Sequence, residues 1–329
     1  MKAVGFLCAR SRILAIVVAV VTLNLTGLAS AQTRTKTFVS IGSGQTTAVY
    51  FHVAQAICQA ISHDLLAQGF RCSAEATPGS AYNIERVVSG DLEFAIVQSD
   101  VVFSAYKGIG GWDGKPVTEL RSVLSLHPEL VTIVARADAN IHVLADLAGK
   151  RVSVGGLATG PRVTWDLISA DLDLATPVQL TELTQQETTS ALCNGTVDTN
   201  FFVVGYPSKL VSNWLDACPS NFVAISEPVV DRLTGKYPFY ARGFIPADPY
   251  RVPDKILSFG PVATVVTSAS RDPRMVAVIA KAIMTHIAEL KEMHPALAEL
   301  DAEQMVAHSS AAPLHPAAAA VYKELGLIK

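Results

Sequence analysis

The sequence predicts an α/β protein with two lobes, each a mostly parallel sheet flanked by helices. Strand-like runs alternate with helix-spaced apolar runs, and this alternation is typical of such sheets. The chain has 329 residues, more than one hydrophobic core usually organises, and half of them are hydrophobic. The sequence can therefore fill two cores.

The first alternating series begins with a β-type run at residues 38–41, which ends in the glycine turn 42–44. Apolar residues at helical spacing follow over residues 51–65. A second strand, a turn and a helix come next, and Ser80 is the expected N-cap of that helix. A buried strand at 94–97 closes the series.

A second series follows the pair His127-Pro128, which two apolar runs flank. Proline favours an extended bend, which suits a strand that leaves one lobe for another. After a strand at 262–267, we predict a long helix over 275–293 and a helical C-terminus. These patterns place lobe 1 at residues 32–134 and 262–329 and lobe 2 at 135–261, joined by two crossings that form a hinge.

The N-terminus predicts an export signal, residues 1–31. Lys2, Arg10 and Arg12 precede an apolar run at 13–21, and small residues at 29–31 mark a cleavage site. A membrane anchor is the alternative, but the run is short of the roughly 20 apolar residues that a span requires. We expect a soluble mature protein in the periplasm.

Charge and cysteines fit export. The chain has 26 basic and 29 acidic residues; removal of three basic residues with the signal leaves 23 minus 29, a net charge of about −6. No basic stripe for nucleic acid is visible.

The remaining cysteines form two local pairs, Cys58 with Cys72 and Cys193 with Cys218. Four cysteines allow three connectivities, and free thiols are a further alternative.

Three loops at predicted strand ends are candidate ligand sites, because open α/β sheets bind ligands there. The first, 42–47, offers glycines and the N–H groups of a helix start to an anion. It lacks the third glycine of a dinucleotide fingerprint, and a plain turn is the alternative.

The second candidate loop, 155–162, has Pro161 and Arg162 where a phosphate-binding loop needs Lys and Ser/Thr. This loop can instead form an anion cradle made of Thr159, the Gly160 amide and Arg162. The alternative is that Arg162 is a solvated residue in the first turn of a helix.

The third candidate loop holds Gln98 and Ser99 at the end of the strand 94–97, where they can bind a polar ligand or cap a helix. Phe202 and Tyr206 can wall a ligand or pack in a core. Hydrolase and zinc-protease motifs are absent and the eight histidines are scattered. We expect no enzyme activity, no cofactor and no metal.

Several motifs together resemble the TAXI family of TRAP-transporter receptors. They lie in order along the mature chain, at residues 41–50, 74–80, 90–100, 146–152, 237–240 and 314–316. The resemblance implies a periplasmic binding protein of the type II fold, with a ligand in the cleft between its lobes. It also implies a membrane permease, driven by an ion gradient, as partner.

Residue by residue, the resemblance and the strand-end loops give one set of ligand-binding candidates. They are Gly44, Gln45, Thr46, Thr47, Tyr50, Gln98, Ser99, Gly156, Thr159, Gly160, Arg162, Phe202 and Tyr206. Side chains at 45–47 and the pair 161–162 depart from the usual family pattern, so the ligand is defined only as a small organic anion such as a dicarboxylate, keto acid or acidic amino acid. An ABC-type receptor of the same fold is the alternative, an exported enzyme is a more distant one, and a monomer is the simplest assembly.

Overall fold

The computed structural model describes residues 37–172 and 174–329. The predicted export signal at 1–31 lies outside these residues and stays a prediction. Within the described ranges, no helix combines the length and the apolar character needed to cross a membrane.

Strands and helices alternate through most of the described chain. The strands are β1 Thr37–Gly42, β2 Phe70–Glu75, β3 Phe94–Gln98, β4 Leu120–Pro128, β5 Leu130–Arg136, β6 Arg151–Ser153, β7 Gln179–Thr181, β8 Thr199–Val204, β9 Ser220–Phe222, β10 Ala241–Ile245, β11 Ile256–Gly260 and β12 Val262–Ser268. The helices are α1 Val49–Ala60, α2 Ser62–Ala67, α3 Ser80–Ser89, α4 Ser99–Lys107, α5 Gly160–Ile168, α6 Gln185–Cys193, α7 Lys209–Ala217, α8 Glu227–Lys236, α9 Pro273–Thr285, α10 Ile287–Met293, α11 Ala302–Ala307 and α12 Pro316–Glu324.

The strands form two five-stranded sheets, one in each lobe. The first has the order β2-β1-β3-β12-β4, and the second has the order β7-β6-β8-β5-β9. In each sheet three neighbouring strands are parallel, namely β2, β1 and β3 in the first and β7, β6 and β8 in the second. The hairpin β10-β11 packs beside the second sheet. The carboxyl ends of three parallel strands thus lie together in each lobe.

The chain changes sheet twice, between β4 and β5 and between β11 and β12. The two crossing segments touch, because the Glu129 N–H donates to the Pro261 carbonyl at 2.9 Å. A Cβ on Gly260 would lie 2.1 Å from the Glu129 carbonyl oxygen, so only glycine permits this approach. The first change comes earlier than the predicted boundary at 134/135, because all of β5 from Leu130 pairs with β8 of the second sheet.

Each sheet carries a hydrophobic core on both faces. In the second lobe, Phe201 packs edge-on against Trp165 at 5.1 Å between ring centroids, and Phe202 against Trp214 at 5.6 Å. Consecutive residues of β8 point to opposite faces, which is why these neighbours belong to different cores. A strand that is buried on both faces has a continuous apolar run in its sequence, as β8 does.

The long helix predicted over residues 275–293 is two helices. The break is at His286, whose ring Nε2 lies 3.1 Å from Asp64 Oδ2 and whose Nδ1 lies 3.0 Å from Glu289 Oε2. The apolar stripe continues across the break, since both Ile283 and Leu290 are buried. Periodicity alone therefore did not reveal it.

Both local cysteine pairs form disulfides. Cys58–Cys72 joins α1 to β2, and Cys193–Cys218 joins the ends of α6 and α7. Closing loops of this length contributes on the order of 3 kcal/mol each, in the chain-entropy account. Each bond lies inside one lobe, so neither restricts motion between the lobes.

Candidate ligand-binding cavity

A cavity of about 490 Å³ lies between the lobes. It is bounded by the loops that follow the parallel strands of both sheets, together with Glu129 at the first crossing. This is the place where open α/β sheets bind ligands, because helix starts and strand ends meet there. Its volume is within the usual range for small-molecule sites.

Most of the residues that the sequence singled out come together here. Those that line the cavity are Gly44, Gln45, Thr47, Tyr50, Gln98, Gly156, Thr159, Gly160 and Phe202. They come from both lobes and from segments more than 100 residues apart in the sequence. The glycine loops 42–47 and 155–162 face each other across this space.

Four predicted residues do not line it. Thr46 is exposed. Ser99 accepts a hydrogen bond from the Val262 N–H at 3.0 Å and contacts the second crossing instead. Tyr206 packs edge-on against Tyr250, and its hydroxyl lies 2.5 Å from Thr132 Oγ1. The fourth is Arg162.

Arg162 is engaged by two carboxylates rather than by the cavity. Its Nε donates to both oxygens of Asp166, at 3.0 and 2.9 Å, and its Nη1 donates to Glu182 Oε1 at 2.6 Å. Asp166 stands one helical turn after it on α5, the spacing at which ion pairs form. The positive charge of Arg162 is therefore balanced by two carboxylates of the same lobe. Because Arg162 is engaged in this way, an anion cradle at 155–162 would consist of main-chain amides.

Three helices start at the cavity without a cap. They are α1 and α3 from the first lobe and α5 from the second, and no side chain within the described residues caps them. A helix start carries free N–H groups and a partial positive charge. The loops thus direct helix starts from both lobes toward one cavity.

The starts of α3 and α5 meet across the cleft. A Cβ on Gly79 would lie 3.8 Å from Thr159 Cα and 3.9 Å from the Gly160 nitrogen. Gly79, with φ of 130°, takes the cap position expected for Ser80. Ser80 is the first helical residue, and its Oγ accepts from the Gln98 N–H at 3.2 Å. Tyr82 N–H, in the first turn of α3, donates across the cleft to the Ala158 carbonyl at 3.1 Å.

Glycine at position 160 is required by this approach. A Cβ there would lie 1.8 Å from Gln98 Oε1 and 2.9 Å from Ser80 Oγ. Gln98 and Ser80 belong to the first lobe, whereas Gly160 begins α5 of the second. Any side chain at 160 would therefore push the lobes apart.

A buried carboxylate beside the cavity joins the lobes. Asp100, in the first turn of α4, is fully buried, and its Oδ2 accepts from Thr164 Oγ1 at 2.6 Å and from Tyr240 Oη at 2.9 Å. Both donors belong to the second lobe. Gln98 Nε2 adds a bond to Thr164 Oγ1 at 2.9 Å. Burial raises the pKa of Asp100, and the bonds from Thr164 and Tyr240 oppose that shift.

The floor of the cavity is a second buried carboxyl group, Glu129. It is 3% exposed, and its Oε2 accepts from Tyr50 Oη at 2.5 Å. Burial raises the pKa of Glu129 well above its usual value, and the bond from Tyr50 only partly offsets this. Nearby, burial lowers the pKa of His127 to about 4. Burial thus disfavours the charged form of both groups.

Glu129, Asp100 and Tyr240 were missed as site residues by sequence reasoning. Asp100 and Tyr240 lie within the motifs at 90–100 and 237–240 but are not among the ligand-binding candidates. The signal for Glu129 was its place directly after the bend at His127-Pro128, where the chain leaves the first sheet.

Comparison with known proteins identifies the family. The NMT1-like family matches residues 41–326, most of the chain. The chain belongs to the NMT1-like family. Among solved structures, the NMT1-like chain is similar to a putative L-cystine ABC transporter protein from Listeria monocytogenes, with 11% identity and a TM-score of 0.50 over 78% of this chain and 94% of that one.

Two further structures are similar to this NMT1-like protein at lower TM-scores. An ancestral arginine-binding protein bound to arginine has 14% identity and a TM-score of 0.49 over 79% of this chain and 98% of that one. The periplasmic aliphatic sulphonate-binding protein SsuA from Escherichia coli has 15% identity and a TM-score of 0.44 over 88% and 90%. The likeness to the Listeria monocytogenes protein, at a TM-score of 0.50 and 11% identity, concerns the fold alone. The predicted two-lobed, type II periplasmic binding protein fold is confirmed.

Removing the Tyr240 hydroxyl should loosen the lobes. Tyr240→Phe withdraws one donor from the buried Asp100, at a cost of roughly 1–3 kcal/mol to the closed arrangement. Pulsed spin-label distances, with one label on an exposed residue of each lobe, should broaden toward longer values. Tyr237→Phe is the matched control, because Tyr237 Oη donates to the Leu167 carbonyl and to Asp171 within the second lobe. Identical distance distributions for both variants would contradict the role of Asp100.

Glu129→Gln should change how stability depends on pH. The folded pKa of Glu129 lies above the unfolded value near 4.5, so its contribution is full below that pH and is lost as pH rises toward the folded pKa. The free energy of unfolding of the variant should therefore decline less than that of the wild type between about pH 5 and pH 9, in urea titrations. The exposed Glu299→Gln should leave the wild-type slope unchanged. A wild-type slope in Glu129→Gln would mean that Glu129 is ionised in the fold.

Proposed function

We propose that this NMT1-like protein is an extracytoplasmic receptor that captures a small organic anion between its lobes and delivers it to a membrane permease. One observation carries the proposal. Uncapped helix starts from both lobes converge on a single cavity, and those of α3 and α5 are in contact. Positive helix ends gathered at one cavity favour an anion there.

The affinity that a receptor needs is within reach of such a site. Micromolar binding corresponds to about −8 kcal/mol. Each hydrogen bond from an amide to a charged ligand contributes roughly 1.5–3 kcal/mol, so a few amides from the facing loops suffice. No arginine in contact with the ligand is required.

The proposed ligand contacts are the predicted residues that line the cavity. Main-chain groups at Gly44, Gly156 and Gly160 would bind the anion, and the side chains of Gln45, Gln98 and Thr159 would orient it. Thr47, Tyr50 and Phe202 would complete the wall. Binding would favour the closed arrangement, because contacts from both lobes form only when the cleft is shut.

We propose a TRAP permease of the TAXI type as the partner, on the strength of the motifs at 41–50, 90–100 and 237–240. The second candidate is an ABC transporter, favoured by the fold shared with the putative L-cystine ABC transporter protein. Export to the periplasm rests on the signal at 1–31 and agrees with the two disulfides, which persist in oxidising compartments.

Uptake experiments distinguish the two transporters. In cells that express the receptor with its permease, an agent that collapses the ion gradients while ATP is maintained should abolish receptor-dependent uptake if the partner is a TRAP permease. Uptake that survives collapse of the gradients and stops on ATP depletion would instead assign the receptor to an ABC transporter.

The cavity itself is tested by Gly160→Ala. A ligand at 100 times its Kd stabilises the protein by about 2.7 kcal/mol, so a thermal-shift screen of organic acids and amino acids should reveal a ligand of the wild type. Gly160→Ala should lose most of that shift, because the added methyl group prevents closure. Gly235→Ala on α8 is the control, since a Cβ there meets nothing within 4 Å. A full ligand shift in Gly160→Ala would place the ligand elsewhere.

A further inference from the structure

The cavity has an uneven distribution of charge. No Lys, Arg or His side chain is found among its lining residues in the described chain, whereas the carboxylates of Glu182 and Glu187 line it. Arg162, the cation predicted for this place, is compensated by Asp166 and Glu182. An anionic ligand therefore meets no cationic side chain in the lining.

The uncapped helix starts supply one anion position. It lies where α3 and α5 meet, at Gly79 and Gly160. The start of α4 is already occupied by a carboxylate of the protein, since Asp100 Oδ1 accepts from the Val101 N–H at 2.8 Å. The starts of α3 and α5 therefore serve a single carboxylate group of a ligand, because the start of α1 presents the apolar Val49 and the Tyr50 side chain that binds Glu129.

Two other second-lobe helix starts at the cavity, those of α6 and α7, are occupied as well. At α6, Glu187 Oε2 accepts from the Thr184 N–H at 2.8 Å and from Thr184 Oγ1 at 2.7 Å. These bonds lower the pKa of Glu187, so it is ionised. At α7, Ser208 caps its own helix, and its N–H donates to Tyr250 Oη at 2.6 Å. A second ligand carboxylate would find an anion at α6 and a filled cap at α7.

Beyond the loop 156–161 and the polar residues Glu182, Thr184, Gln185, Glu187 and Ser208, the second-lobe wall is apolar. It comprises Leu183, Phe202, Val203, Val204 and Leu210, and Val49 of α1 faces the same space from the first lobe. A charged group placed against such a wall loses its hydration without gaining a partner. An alkyl group gains from the same contact.

We propose that the cavity binds a small organic acid with a single carboxylate and an apolar body, and that it rejects dicarboxylates. The carboxylate lies at the starts of α3 and α5, and the apolar body lies against Leu183, Phe202 and Leu210. This inference rests on the proposed receptor function and narrows it. Of the ligands expected from the sequence, dicarboxylates and acidic amino acids are excluded.

Matched pairs of ligands test the proposal by calorimetry on the wild-type protein at neutral pH. Isocaproate ends in an isopropyl group where succinate has its second carboxylate, and the two are otherwise identical. L-leucine and L-aspartate differ in the same way. In each pair that binds, the apolar member should bind at least about tenfold more tightly than its dicarboxylate partner, because only the latter must bury a second charge.

A charge-gain variant gives a second readout. Leu183→Arg places a cation on the apolar wall and should shift the ratio of affinities toward succinate and L-aspartate by at least about tenfold. Leu180→Arg is the matched control, because Leu180 is 43% exposed on β7 and does not line the cavity. Its affinity ratio should equal that of the wild type.

Three outcomes would overturn the inference, and they separate it from the receptor proposal. If succinate or L-aspartate binds as tightly as its apolar partner, the proposed selectivity is wrong and the proposed receptor function stands. If none of the four probes binds while other small molecules bind in the cavity, the proposed ligand class is wrong and the receptor function again stands. An absence of binding across a broad panel of small molecules overturns the receptor function, and the ligand class with it.

Discussion

The contact between the starts of α3 and α5 is the constraint on which the site depends. Both helices follow glycine turns at the carboxyl ends of parallel strands, so their free amides are directed out of the sheets and into the cleft. Gly79 and Gly160 allow backbone to meet backbone, with Gln98 filling the space where a Cβ at 160 would lie. The two helix starts are joined directly by the bond from the Tyr82 N–H to the Ala158 carbonyl at 3.1 Å.

Two buried carboxyl groups flank this contact, and they have different roles. Asp100 accepts hydrogen bonds from Thr164 and Tyr240 of the other lobe, so it holds the cleft closed from one side. Glu129 lies on the crossing segment, where burial favours its protonated form and Tyr50 is its hydrogen-bond donor. One group thus links the lobes, and the other lies at the floor of the cavity beside the crossing.

The lobes themselves are held rigid by ordinary means. Each sheet has cores on both faces, and each lobe has one disulfide of its own. Only two segments cross, and they touch at Glu129 and Pro261. Motion between the lobes is therefore concentrated in a short pair of strands, while the ligand loops stay fixed on their sheets. This is the mechanical requirement for capture by closure.

The sequence by itself determined what depends on neighbours along the chain. Strand and helix alternation, the glycine loops at 42–47 and 155–162, and the local cysteine pairs are set by periodicity, turn chemistry and short loop closure. They were enough to predict two α/β lobes, and nine of the 13 candidate residues line the cavity. The bend at His127-Pro128 also marked the first crossing, although the boundary was placed too late.

Only the tertiary structure decided how the charges are used. Glu129 meets Tyr50 across 79 residues, and Asp100 meets Tyr240 across 140. Arg162 has the spacing of a helical ion pair with Asp166, but its second partner, Glu182, comes from the next loop. Whether a charged group is compensated, buried or free for a ligand depends on such distant partners, because desolvation and pairing are properties of the folded environment rather than of the residue.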